Sequence, residues 1–154
     1  MIIQGGFDFT QLAQPLIRRH GRNRNRLVLI QATRDLELHS VSVVTKHYNG
    51  ALAPHLEEII GQLNPEQTRF FAVAHPDRVA PSGIPDERTM EDSQILEERA
   101  AAEGFHLIGH VLFSSDSWLS LRGSLYFEQY RDRGIGLPSS MDQWARSPSV
   151  DEST

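Results

Sequence analysis

The segment Arg69-Phe-Phe-Ala-Val-Ala-His75-Pro-Asp77 is a short apolar run that ends in a histidine, a proline and a carboxylate. A segment this short and this apolar is typical of a strand in the middle of a sheet, because both of its faces are covered. The chain then enters a loop that contains Pro76, Pro81 and Pro85. We therefore expect a central strand that leads His75 into a loop at one edge of the sheet.

The residues before this strand predict a helix, two strands and a second helix. Leu12, Leu16 and Ile17 form one apolar face of a helix over 7–20, although Pro15 is unfavourable inside a helix. Branched apolar residues predict strands over 26–32 and 36–45, an Asn-Gly pair predicts a turn at 49–50, and apolar residues at helical spacing predict a helix over 54–63.

The residues after the central strand predict one more helix and two more strands. Thr89-Met-Glu-Asp92 resembles a capping box, so we expect a helix from Thr89 to Gly104, with Glu97 interrupting its apolar stripe. Strands are expected over 105–113 and 118–121. This order of elements predicts an α/β or α+β fold, with a mixed central β-sheet flanked by helices.

The composition is that of an ordinary globular protein of 154 residues with a net charge of −5. No apolar run approaches the ~20 residues of a membrane span, so we expect no membrane partner and a cytoplasmic location. The absence of cysteine excludes disulfides, thiolate catalysis and thiolate zinc sites. We expect a single domain over 1–137 and a flexible polar C-terminal tail over 138–154.

Two short patterns resemble a known metalloprotease motif. They are Val73-Ala-His75-Pro-Asp77 and Ser82-Gly-Ile-Pro-Asp86, and the chain from Arg26 to Arg122 is similar to the RadC branch of the JAB/MPN family. The resemblance implies a cytidine-deaminase-like architecture. It also implies a zinc site that draws on His75 and Asp86, and a link to DNA-associated processes such as DNA repair.

Three departures from the family pattern weaken the implied chemistry. Val73 stands where the first ligand of a His-x-His pair is expected, and valine has no lone pair for a metal. Ser82 lies four residues before Asp86 instead of three. The family's general base is a glutamate near the first long strand, but no acidic residue lies between Asp8 and Asp35. We therefore expect no catalytic residue and no cofactor, and predict a non-catalytic binding or scaffold module with a protein partner.

A remodelled zinc site is the first alternative. His75 and Asp86 would be joined by a substitute ligand from Asp77, His106 or His110, in a hydrolase that cuts isopeptide, peptide or phosphodiester bonds. Otherwise His75 is a strand-end histidine bonded to backbone, and Asp86 is a carboxylate at the start of a helix. His106 and His110, four apart in a strand, would share one face of the sheet.

A group of arginines supports the second alternative, which is nucleic-acid binding. The group comprises Arg18, Arg19, Arg22, Arg24 and Arg26. Such a loop could contact phosphates, or it could simply be a solvated connection. Exposed strand edges also leave a homodimer open.

Overall fold

The computed structural model describes residues 1–77, 85–115 and 117–122. In these ranges the chain forms three α-helices, one short 3-10 helix and seven strands. They are α1 (Gly6–Ile17), β1 (Arg18–Arg19), β2 (Arg22–Asn23), β3 (Leu27–Ala32), β4 (Leu38–Thr45), the 3-10 helix Ala53–His55, α2 (Leu56–Gln62), β5 (Phe70–Pro76), α3 (Glu87–Ala101), β6 (His106–Phe113) and β7 (Trp118–Ser120).

The central sheet has five strands in the order β4-β3-β5-β6-β7. β5 and β6 are parallel, as expected for strands joined through a helix, and the other neighbours are antiparallel. The predicted mixed sheet flanked by helices is therefore confirmed. β5, the strand that residues 69–77 predicted, lies in the middle of the sheet and is buried along almost its whole length.

Helices cover both faces of the sheet, so the apolar core has two layers. Phe9, Ala13 and Ile17 of α1 pack on one face. α2 and α3 pack on the other, through Leu56, Ile59, Ile60, Leu96 and Ala100. Alternate residues of β5 contribute to the two layers, as the two-residue period of a strand requires.

Two predicted helix boundaries are wrong. The first helix continues through Pro15 but ends at Ile17 instead of His20, because Arg18 takes extended backbone and residues 18–23 form the small β1–β2 hairpin. The third helix begins at Glu87 and is capped by Asp86, so Thr89 lies inside the first turn and is not the cap. Ser82, the tail over 138–154 and the end of the predicted 1–137 domain lie outside the described residues.

An irregularity in β6 changes which face each of its residues occupies. Phe71 pairs with Leu107 and Ala72 with Gly109, so Ile108 is an extra residue opposite β5. Gly109 then lies beneath α1, where an added Cβ would come within 2.6 Å of Phe9 Cε2 and 3.0 Å of Ala72 Cβ. The glycine therefore allows α1 to approach the sheet closely.

Candidate functional site

His75 and His110 meet at the centre of the sheet, on the face covered by α2 and α3. Val73 and His75 share this face because they are two residues apart on β5. His110 lies beside Val73 on the neighbouring strand, and its Nε2 is 2.8 Å from Nε2 of His75. Both histidines are fully buried. Val73 occupies the position where the family pattern has a histidine, and a second imidazole, supplied by β6, lies next to it.

The partners of the two rings fix the direction of every hydrogen bond between them. His75 Nδ1 donates to the carbonyl of Pro76 at 2.9 Å, since a carbonyl can only accept. Nε2 of a neutral His75 must then accept from His110 Nε2, which leaves His110 Nδ1 to accept from the Ser93 hydroxyl at 2.8 Å. With both imidazoles neutral, each ring nitrogen therefore has one partner and each bond has one donor.

A buried arginine completes this chain of hydrogen bonds. Arg122 Nε donates to the Ser93 hydroxyl at 3.1 Å, and another nitrogen of the guanidinium donates to the Ser93 carbonyl at 2.9 Å. Arg122 also pairs with Glu97 at 3.1 Å, and its own side chain is fully buried. This series of hydrogen bonds thus links α3, β6 and the end of β7, and each charged or neutral group in it has a partner.

Burial lowers the pKa of His75 and lowers that of His110 still further. For His110, the neighbouring His75 and the positive charge of Arg122 act in the same direction as burial. For His75, the Pro76 carbonyl and the nearby Asp77 and Asp92 oppose the effect of burial without overcoming it. The lowered pKa values favour the neutral forms on which these hydrogen-bond directions depend.

Asp86 does not join the two histidines. It caps α3, where its Oδ1 accepts from the backbone N–H of Arg88 at 3.2 Å, and its side chain is exposed. The interpretation of Asp86 as a helix-start carboxylate is therefore confirmed. One turn further on, Thr89 donates to Oδ2 of Asp77 at 2.9 Å. This bond ties the start of α3 to the end of β5.

The residues around the histidine pair do not fit a zinc ion. Two nitrogens bound to one tetrahedral zinc are about 3.3 Å apart, and each must present a lone pair to the metal. The imidazoles of His75 and His110 are closer than this and are bonded to each other. Within the described ranges, no group of three or more histidine and acidic side chains could hold a metal ion.

His106 and His110 do not share a face, so that prediction is wrong. The His106 ring contacts Phe70, which belongs to the layer covered by α1, whereas His110 contacts Ser93 on α3. The extra residue Ile108 shifts the alternation between the two histidines. His106 is thus separated from His75 by the sheet itself.

A polar cavity of about 580 Å³ lies next to the histidine pair, at the carboxyl ends of β5 and β6. Tyr48 connects the two regions, because its ring stacks on His75 with 4.5 Å between centroids and also lines the cavity. Gly50 beside it has a φ of 90° and lies at a bend in the chain, a left-handed backbone that glycine accommodates. The lining residues are Asn23, Asn25, Tyr48, Asn49, Gly50, Pro76, Asp77, Asp86, Phe113, Ser114 and Ser115.

Three of the five arginines hold the fold together near this cavity. Arg18 donates to the carbonyls of Ser114 and Ser117 at 2.7 and 2.6 Å. Arg24 and Arg26 donate to carbonyls in the last turn of α1. Arg19 and Arg22 are exposed on the β1–β2 hairpin. The interpretation of this arginine-rich segment as a solvated connection is therefore wrong for Arg18, Arg24 and Arg26.

Sequence reasoning missed the roles of Ser93 and Arg122. One signal was present, because Glu97 and Ser93 are polar residues near the apolar stripe of α3, where they face Arg122 and His110.

Searches against known protein families and against curated proteins find no match for this chain. No helix in the described part of the chain is long and apolar enough to cross a membrane.

Proposed function

We propose that this protein is a non-catalytic binding module, similar in fold to a degenerate RadC-like JAB/MPN domain, that recognises a protein partner. The observation that carries the proposal is the state of His75. One of its ring nitrogens is bonded to the Pro76 carbonyl and the other to His110. The imidazole therefore offers no lone pair to a metal, and the residue acts as part of the core.

The acids that flank β3 in the sequence do not supply a general base, and the carboxylates near His75, Asp77 and Asp92, accept hydrogen bonds from Thr89 and from the Ala53 N–H. β3 runs antiparallel to β5, and its first residues lie beside the His75 end while its last lie beside Phe70. Asp35 follows β3 and is therefore at the far end of the sheet, and Asp8 bonds the Gln4 N–H at the start of α1. Neither carboxylate could accept a proton from a water held at His75.

The cavity beside Tyr48 is the feature suited to binding. It lies at the carboxyl ends of a parallel strand pair, where open α/β sheets commonly bind ligands, and its volume is within the usual range for ligand sites. Its described walls come from five separate segments, among them the ends of β5 and β6. The module would thus use this cavity for recognition of a partner.

Zinc binding tests the proposal. The full chain, purified without chelator, is incubated with equimolar zinc, desalted and subjected to elemental analysis, with His39→Ala as the control for an exposed histidine. We expect far less than one equivalent of zinc. About one equivalent, retained in His39→Ala but lost in His75→Ala and in Asp86→Ala, would overturn the proposal in favour of a zinc-dependent hydrolase.

The exposed hairpin favours nucleic-acid binding as a second candidate function. Arg19 and Arg22 lie on its outer surface and could reach phosphates. Binding of a duplex would then weaken steeply with salt and further in the double variant Arg19→Ala plus Arg22→Ala. An affinity that this double variant does not change would exclude the hairpin as the contact.

A further inference from the structure

The cavity at the carboxyl ends of β5 and β6 is lined by acids and neutral polar groups. Asp77 and Asp86 are the charged residues among its described lining, which otherwise consists of asparagines, serines, a tyrosine and apolar or glycine positions. Arg18 is not among the described lining residues, and its guanidinium donates to the carbonyls of Ser114 and Ser117. The described part of the lining therefore carries a net negative charge.

Tyr48 supplies an independent sign that the cavity receives a ligand. Its side chain is 95% buried (5% exposed), yet its hydroxyl bonds no atom of the described residues. Within those residues, the fully buried polar side-chain atoms without a partner are Arg24 Nε and His55 Nε2. Tyr48 lines the cavity, so an occupant there could pair with its hydroxyl.

The carboxylate of Asp86 can take a further hydrogen bond. Asp86 uses Oδ1 for the helix cap, and Asp77 uses Oδ2 for Thr89. A carboxylate has about four lone-pair sites, so acceptor capacity remains on the exposed Asp86, while Asp77 adds its negative charge to the lining. The best complement to two carboxylates and a phenol is a cation with several N–H donors, as in a guanidinium or ammonium group.

We propose that this cavity binds a basic side chain, arginine above all, in a short segment of the partner protein. This inference rests on the proposed function and names the chemistry of the partner. The volume of about 580 Å³ exceeds one side chain and leaves room for flanking backbone, which the exposed Asn25 and Ser115 could bond. Arginine is favoured because its fork of donors can pair with a carboxylate and the phenol together.

Two matched peptides test the proposal against the full chain by NMR titration. One is acetyl-Gly-Arg-Gly-amide, and the other replaces arginine by citrulline, which has nearly the same shape but no charge. We expect the arginine peptide to shift amide resonances over 48–50 and 113–115, and the citrulline peptide to have little effect at the same concentration. Raising the salt should weaken the arginine response.

Conservative variants locate the contact. Asp86→Asn keeps a good helix cap and Tyr48→Phe keeps the ring, and we expect each to weaken the arginine peptide about fivefold. Asp35→Asn removes an exposed charge at the other end of β3 and should leave the affinity unchanged. A matching loss in Asp35→Asn would mean that only the net charge matters and would overturn the proposal.

Other outcomes are equally decisive. Equal responses to the two peptides, unchanged affinity in Asp86→Asn and Tyr48→Phe, or shifts confined to residues 18–23 would each overturn the inference. Displacement of the arginine peptide by a DNA duplex that shifts 48–50 would overturn it in favour of nucleic acid. The zinc analysis above is independent of these results, so the proposed function can fail while the arginine response persists, and the reverse.

Discussion

The histidine pair and the polar cavity lie side by side, separated by the ring of Tyr48. They differ in how fully their polar groups are hydrogen-bonded within the protein. Around His75 and His110 every ring nitrogen is bonded inside the protein, and water is excluded. In the cavity, the Tyr48 hydroxyl has no hydrogen-bond partner among the described residues, and the exposed carboxylate of Asp86 keeps acceptor capacity. This contrast indicates that the histidines stabilise the fold, whereas the residues that line the cavity on the other side of Tyr48 can bind a partner.

The largest expected effect comes from Arg122→Ala. It leaves Glu97 without its buried partner and Ser93 without two donors, so we expect the free energy of unfolding to fall by about 3–5 kcal/mol. Denaturant unfolding measures this change. Arg99→Ala is the control, because Arg99 pairs with Glu57 at the surface and should cost at most about 1 kcal/mol. Equal losses in the two variants would contradict the role of the buried chain.

The pH dependence of stability comes next. The pKa values of His75 and His110 are lowered in the folded state, so the unfolded chain binds protons first as the pH falls below its histidine pKa of 6.5. Their contribution to stability is complete above that pH and is lost below it. The expected loss is about 1.4 kcal/mol per pH unit for each histidine, until the folded rings also take up protons.

His110→Gln sharpens this measurement, because an amide can donate and accept but does not titrate in this range. We expect the slope of unfolding free energy against pH to fall by about half of the histidine contribution. His39→Gln changes an exposed histidine and should leave the slope as it is. Slopes that are the same in all three proteins would mean that the pair is not held in the neutral state.

A smaller effect is expected at the helix cap beside the cavity. Asp86→Ala removes the acceptor for the Arg88 N–H and should destabilise the protein by about 1 kcal/mol, whereas Asp86→Asn should be close to neutral. Thermal unfolding compares the two. If Asn were as harmful as Ala, the charge of Asp86 would be needed for the fold and could not be reserved for a partner.

The smallest effect on stability is expected for Tyr48→Phe. The hydroxyl bonds nothing in the described chain, so its loss should change the free energy of unfolding by less than about 0.5 kcal/mol. Denaturant unfolding of this variant, next to Arg122→Ala, places the two regions on one scale. A loss above about 2 kcal/mol would show a structural role for the phenol and remove the contrast.

Much of the fold follows from local patterns, and the candidate site follows only in part. Residues 70–74 are uniformly apolar, and the apolar residues within 54–63 have helical spacing. In each case the period of the apolar residues is enough to indicate which side chains are buried, and both elements form as predicted. The β1–β2 hairpin was not predicted, because its two-residue strands leave no periodic signal. The position of His75 at a strand end was predicted, but His110 was only one of three residues proposed to lie beside it, and as a metal ligand.

Pairing between strands explains that gap. His110 is 35 residues from His75 and reaches it only through the parallel register of β5 and β6, which includes the extra residue Ile108. A single extra residue reverses the face of everything beyond it, and this is why His106 and His110 were expected together and are found apart. Arg122 likewise meets Ser93 through tertiary packing alone.

The measurement that tests the central claim most directly is the long-range proton–nitrogen correlation spectrum of the imidazoles at about pH 7, with and without equimolar zinc. It reports which nitrogen of each ring carries the proton. We predict a proton on Nδ1 of His75 and on Nε2 of His110, with both signals unchanged by zinc. A nitrogen shift typical of metal ligation at either ring, or a charged imidazolium there, would contradict the account.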